Sequence, residues 1–149
     1  MSLETQINEE IKNAMRAKDK VALDALRAVK SALLLAKTAG ADVQINEADE
    51  IAVLQKQIKM RKEAADQFSA QGREEMAENE RLQSQVIEQF LPKQLSAEEL
   101  TAEIQEIISG TQATSIKDMG KVMAQANQKL AGKVDGKLLA DEVKKQLNS

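Results

Sequence analysis

The chain has 149 residues with a formal net charge of −3, and its hydrophobic content of 42% is sufficient for a folded core. It contains no cysteine and no histidine, which excludes disulfides, thiolate catalysis and metal sites built from thiolates or imidazoles. Two phenylalanines, no tyrosine and no tryptophan leave few residues that favour strands. The composition therefore predicts an all-α protein.

Four helices are predicted in the first part of the chain, from capping residues and from apolar side chains at helical spacing. The bounding residues of these helices are Leu3 and Lys18, Asp19 and Ala39, Asn46 and Gly72, and Arg73 and Pro92. Pro92 is the only proline and disfavours helix in the residue before it. We therefore predict an N-terminal helical domain of about four helices over residues 1–92.

Residues 93–149 are predicted to form a small C-terminal domain of three helices. Ser96 and Glu99 have the spacing of a capping box, and the helix that they begin is expected to stop at Gly110. A second start signal at Ser115 predicts a sixth helix that ends at Gly132. The seventh helix is predicted to begin after Asp135, which can cap its first turn.

The second helix carries two leucines in an unusual position. Leu23 and Leu34 fall within the arc of the helix that is otherwise polar. A central helix of a bundle, packed on two sides, accounts for this pattern. The alternative is that Leu23 and Leu34 contact a partner protein.

The sequence offers no recognisable catalytic centre. Residues 132–138 include two glycines and two lysines, but the spacing differs from that of a phosphate-binding loop and leucine follows the second lysine. An acidic run is interpreted as a solvated helix face rather than a metal site, and its members are Glu74, Glu75, Glu78 and Glu80. We therefore predict no catalytic residue, no metal and no cofactor.

Positive charge is concentrated near the C-terminus. Seven lysines against four acidic residues give residues 110–149 a charge of +3, whereas the preceding residues sum to −6. On the sixth predicted helix, Lys117 and Lys121 share the face opposite Val122, and Lys133 and Lys137 continue the positive surface through the following turn. These four lysines, Lys117, Lys121, Lys133 and Lys137, are our candidates for binding RNA phosphates.

Two glycines and one aspartate near these lysines affect how the lysines would bind RNA. Gly132 and Gly136 are predicted to let the turn approach an RNA backbone closely. Asp141 lies one helical turn from Lys137 and is positioned to pair with it.

The part of the chain after Phe90 has no aromatic residue and no arginine, so RNA binding would involve phosphates and RNA shape rather than bases. The alternative is that the lysines form an ordinary solvated surface.

Five ordered motifs together resemble the YqeY family across the whole chain. They are KMRK at 59–62, GREEMA at 72–77, FLPKQLS at 90–96, DMGKVM at 118–123 and DGKL at 135–138. The family is similar, over residues 95–149, to the tail of the GatB subunit of the glutamine-dependent tRNA amidotransferase. Phe90 stands where tyrosine is expected in the family.

The resemblance implies a helical N-terminal domain, a three-helix tail and an association of that tail with tRNA or a similarly folded RNA. The ATP-dependent and amidase parts of the amidotransferase have no counterpart here, so stand-alone catalysis is not expected. Two alternatives remain: an accessory subunit linked to glutamine-dependent carbon–nitrogen ligase activity, and a helical protein–protein interaction module.

The sequence also predicts a cytoplasmic protein without a membrane partner. The longest stretch without charge, residues 107–116, is far shorter than the roughly 20 residues that a membrane-spanning helix needs. Glu4, Glu9 and Glu10 lie where a targeting peptide would be basic or free of acids, so no such peptide is expected.

Overall fold

The computed structural model describes residues 2–40 and 44–148. Within these ranges the chain is helical and has no strand, which confirms the predicted all-α class. Seven α-helices and one 3₁₀ turn are present in the described residues: α1 (Leu3–Ala17), α2 (Lys20–Lys37), α3 (Glu47–Ala70), α4 (Glu74–Glu88), α5 (Ala97–Thr111), the 3₁₀ turn (Ile116–Asp118), α6 (Met119–Lys129) and α7 (Gly136–Leu147).

Most of the predicted capping residues occupy the positions expected of them. The Asp19 side chain accepts a hydrogen bond from the Ala22 amide at 3.0 Å, so it caps α2. Asn46 caps α3, and Asp135 caps α7 through the Lys137 amide. Because such a cap acts within three residues of itself, these helix starts are encoded locally.

Contacts divide the chain into two compact units, Met1–Leu91 and Pro92–Ser149. We call them the N-terminal unit and the C-terminal unit. The N-terminal unit contains α1 to α4, and α3 and α4 form its most extensive pair of packed helices. Its core is aliphatic, and its most deeply buried large side chains are Ile7, Leu26, Val29, Leu54 and Ile87.

The C-terminal unit contains α5, the 3₁₀ turn, α6 and α7. Each of its three α-helices packs against the other two, and the 3₁₀ turn packs against α6 and α7. Buried aliphatic residues again form the core, and they include Ile104, Val122, Leu130, Leu139 and Val143. This core fixes the helix faces that point outward, including those that carry lysines.

The sixth helix begins later and ends earlier than predicted. Ser115 does start a helical segment, but its side chain accepts from the Lys117 amide at 3.4 Å, and the segment is a 3₁₀ turn. The Asp118 carboxylate accepts from the Thr114 amide at 2.9 Å and closes this tighter turn. The α6 helix then starts at Met119 and ends at Lys129, before Gly132. Lys117 and Lys121 were predicted to share a face because residues four apart do so in an α-helix. Lys117 lies in the 3₁₀ turn, which has three residues per turn, so this spacing argument does not apply.

Candidate nucleic-acid interface

The turn between α6 and α7 holds Lys133 in a well-defined backbone. The Lys133 amide donates to the Leu130 carbonyl at 3.0 Å, and the Lys133 carbonyl accepts from the Leu95 amide at 2.8 Å. The residues on either side, Gly132 and Val134, are both buried, whereas Lys133 is exposed. The backbone of Lys133 is therefore committed to the fold, and its side chain is in contact with solvent.

The two glycines near this turn have different environments. Gly132 is buried with a φ of 75°, a backbone conformation that glycine adopts with little cost. Its carbonyl accepts from the Gln94 side-chain amide at 2.6 Å. Gly136 is exposed at the start of α7, and a Cβ added there would meet nothing within 4 Å. The turn itself explains Gly132, and nothing in the structure requires glycine at 136.

Lys137 lies in the first turn of α7. Its backbone amide donates to the Asp135 carboxylate at 2.7 Å, so the amide is part of the helix cap. The anticipated ion pair between the Lys137 ammonium and Asp141 does not form within 4.0 Å in the described residues, although the spacing of one helical turn would allow it. The exposed Lys137 side chain is therefore not neutralised by that aspartate.

Lys117 and Lys121 lie on separate elements, the 3₁₀ turn and α6. Both side chains are exposed. The pKa of the Asp118 carboxyl is lowered, first by the hydrogen bond from the Thr114 amide and also, more weakly, by the positive charge of Lys121. The 3₁₀ turn, which carries Lys117, packs against α6 and α7 in the C-terminal unit.

Another lysine of α6, Lys129, is engaged within the fold. Its ammonium lies 3.1 Å from Glu103 and 3.5 Å from Glu106, two carboxylates of α5. The close contact with the Glu103 carboxylate is the main cause that raises the pKa of Lys129. Within residues 2–40 and 44–148, none of the four candidate lysines has a carboxylate within 4.0 Å of its ammonium. Lys129 is therefore engaged in ion pairs within the fold, whereas the four candidate lysines are exposed to solvent and to an anion that binds there.

Leu23 and Leu34, the two predicted contact residues for a partner protein, differ in their burial. Leu23 is half-buried and packs against the core of the N-terminal unit, as expected of a central bundle helix. Leu34 is 59% exposed, and the neighbouring Leu35 is 73% exposed. Leu35 was not predicted as a contact residue, although three consecutive leucines on one helix cannot all face the same core.

The acidic run of α4 is a charged helix face. Arg81 lies 3.6 Å from the carboxylate of Glu74 and 3.4 Å from that of Glu78. No group of acidic side chains suited to a metal ion occurs in the part of the chain that the structure describes. Over the same residues, no helix combines the length and the apolar character that crossing a bilayer requires.

One comparison with known proteins identifies a family. A family model described as Yqey-like protein matches residues 4–147, which is nearly the whole chain. No protein of the curated set matches the sequence.

Proposed function

Because the chain belongs to the Yqey-like protein family, we propose that it is a non-catalytic protein that binds tRNA or a similarly folded RNA through residues 93–149. The resemblance of these residues to the tail of the GatB subunit supports this choice of ligand. The observation that carries the proposal is the exposure of Lys117, Lys121, Lys133 and Lys137 without a carboxylate partner among the described residues.

Phosphate binding by these lysines has a clear energetic basis. A lysine already paired with a carboxylate must lose that interaction before it can bind a phosphate, as Lys129 would have to. The four lysines are exposed, and among the residues that the structure describes none of them has a carboxylate within 4.0 Å. RNA releases condensed counterions when its phosphates are neutralised, so each available ammonium adds a favourable, salt-dependent contribution.

The same residues favour recognition of the RNA backbone rather than of individual bases. Lysine binds a phosphate as a point charge, whereas direct base recognition commonly uses arginine forks and aromatic stacking. The chain has no arginine after Arg81 and no aromatic residue after Phe90. We therefore expect binding that depends on RNA shape and salt concentration and only weakly on sequence.

Titration of labelled tRNA at several salt concentrations tests the proposal. The test variant changes Lys117, Lys121, Lys133 and Lys137 to alanine. A matched control variant changes four exposed lysines of the N-terminal unit to alanine, namely Lys12, Lys20, Lys30 and Lys56. Both variants lose the same net charge. The comparison therefore separates an effect of location from an effect of overall charge.

One observation favours a second function, that of a protein-binding module. Leu34 and Leu35 present adjacent apolar side chains to solvent on α2. Exposed leucines are common singly, whereas exposed apolar side chains close to one another are typical of surfaces that contact partner proteins. Crosslinking of the intact protein in cells, followed by identification of the enriched RNA or protein, distinguishes the two functions.

A further inference from the structure

The segment that precedes α5 runs beside the turn that carries Lys133. The Gln94 side-chain amide donates to the Gly132 carbonyl at 2.6 Å and to the Pro92 carbonyl at 2.8 Å. One residue later, the Leu95 amide donates to the Lys133 carbonyl at 2.8 Å. Two consecutive residues of this segment therefore bind two consecutive residues of the turn.

These contacts use polar groups that the helices leave unpaired. Gly132 and Lys133 lie between α6 and α7, so their carbonyls have no partner within a helix. Gly132 is buried, and a buried carbonyl without a hydrogen bond would be costly. Gln94 supplies that hydrogen bond from a position 38 residues away in sequence.

The geometry also limits how the turn can move. The φ of 75° at Gly132 places the chain in a left-handed conformation, which an unconstrained turn would adopt only part of the time. With the Gly132 carbonyl held by Gln94 and the Lys133 carbonyl held by Leu95, this conformation is fixed. Less conformational entropy is then lost when the Lys133 side chain binds an anion.

We propose that Gln94 is a positioning residue for Lys133, which it orients toward RNA phosphate by holding the Gly132 carbonyl. This inference rests on the proposed function, because Lys133 is one of the four phosphate-binding lysines. Gln94 itself is not required to touch RNA. Its side chain acts through the turn, so its effect on binding depends on the presence of the Lys133 ammonium.

The test is a double-mutant cycle in the full-length chain, with affinity for labelled tRNA as the measured quantity. The variants are Gln94→Ala, Lys133→Ala and the combination of both. Gln105→Ala is the matched control, because Gln105 is an exposed glutamine of α5 whose side chain makes no hydrogen bond among the described residues. Gln94→Glu is a second variant of the same size, whose carboxylate cannot donate to the Gly132 carbonyl.

We expect Lys133→Ala to weaken tRNA binding by about two- to fivefold at low salt, the range of an exposed charge pair. Gln94→Ala is expected to weaken binding measurably but by a smaller factor than Lys133→Ala, with little change of the salt dependence, since every lysine remains. In the Lys133→Ala background, Gln94→Ala should have no further effect. A residue that only stabilised the unit would weaken binding in both backgrounds.

The two proposals fail in different ways. The positioning role of Gln94 is wrong if Lys133→Ala weakens binding while Gln94→Ala and Gln94→Glu leave it unchanged. It is also wrong if the effects of Gln94→Ala and Lys133→Ala add. In both cases the proposed RNA-binding surface is still supported. If wild type does not bind tRNA, or if Lys133→Ala has no effect on affinity, Lys133 is not part of a phosphate-binding surface. The proposed phosphate contact of Lys133 and its proposed positioning by Gln94 are then both wrong. Hydrogen exchange of the Leu95 amide, faster in Gln94→Ala than in Gln105→Ala, reports the loosened turn independently of RNA.

Discussion

The ammonium of Lys129 lies 3.1 Å from the carboxylate of Glu103 and joins α6 to α5. Glu103 is half-buried, and Lys129 is exposed. Lys121, on the same helix, has no carboxylate within 4.0 Å among the residues that the structure describes. Two lysines of one helix therefore have different environments, although the sequence alone presents both as positive charges.

This difference predicts unequal effects of two alanine substitutions. Lys121→Ala should weaken binding of labelled tRNA by about two- to fivefold at low salt and flatten the salt dependence. Lys129→Ala removes the same charge, but one that already neutralises Glu103 and Glu106, so its effect on affinity should be smaller. Equal losses of affinity in the two variants would contradict the distinction between a structural and an available lysine.

The two glycines of the lysine-bearing turn predict opposite effects on stability. Gly132→Ala should destabilise the protein by about 1–2 kcal/mol, because alanine is strained at a φ of 75°. Gly136→Ala should leave stability unchanged or raise it by up to about 1 kcal/mol, since a Cβ fits there and alanine favours helix. Denaturant midpoints of the two variants check this. A Gly136→Ala variant less stable than Gly132→Ala would contradict it.

The capping box of α5 predicts a loss of stability in acid. Hydrogen bonds from Ser96, first from its backbone amide, lower the pKa of Glu99 below its ordinary value of 4.5. A carboxyl with a lowered pKa in the folded state stabilises the fold above about 4.5, and this contribution is lost as the pH falls through the folded pKa. Glu99→Gln keeps the acceptor oxygen of the box but does not titrate.

The corresponding measurement compares denaturant midpoints at about pH 7 and about pH 3. The decrease in stability from neutral to acidic pH should be smaller in Glu99→Gln than in wild type. Glu98→Gln is the control, because the Glu98 side chain is exposed and makes no hydrogen bond within the described ranges. If Glu98→Gln reduced the acid dependence as much as Glu99→Gln, the capping box would not be its source.

The leucine run of α2 predicts a sharp contrast between neighbouring positions. Leu33→Ala should cost about 2–5 kcal/mol, because Leu33 is buried in the core of the N-terminal unit. Leu34→Ala and Leu35→Ala should each change stability by no more than about 0.5 kcal/mol, since both side chains are exposed. A large loss of stability in Leu35→Ala would show that this leucine is buried in the protein in solution.

Local signals in the sequence were sufficient to predict the helical class and several helix starts. Asp19, Asn46, Ser96 and Asp135 cap helices as expected, because a cap depends on residues three or fewer positions away. Ser115 carries the same signal but starts a 3₁₀ turn, since the capping box is compatible with both kinds of helix.

The features that define the candidate site depend on residues far apart in sequence. The bond from Gln94 to Gly132 spans 38 positions, and the pairing of Lys129 with Glu103 joins two different helices. No periodicity or short motif encodes these contacts, because they arise only when the helices pack. Charge alone therefore identified the four lysines. Only the structure distinguishes them from Lys129, which forms an ion pair with Glu103.

The most direct test of RNA binding by the C-terminal unit is the salt dependence of tRNA binding by wild type and the two quadruple alanine variants. For wild type, the logarithm of affinity should fall against the logarithm of salt concentration with a slope of about −2 to −4, since three or four phosphates are neutralised. The variant of Lys117, Lys121, Lys133 and Lys137 should lose most of that slope, and the variant of Lys12, Lys20, Lys30 and Lys56 should retain it. Identical affinities and slopes for the two variants would contradict a phosphate-binding surface in the C-terminal unit.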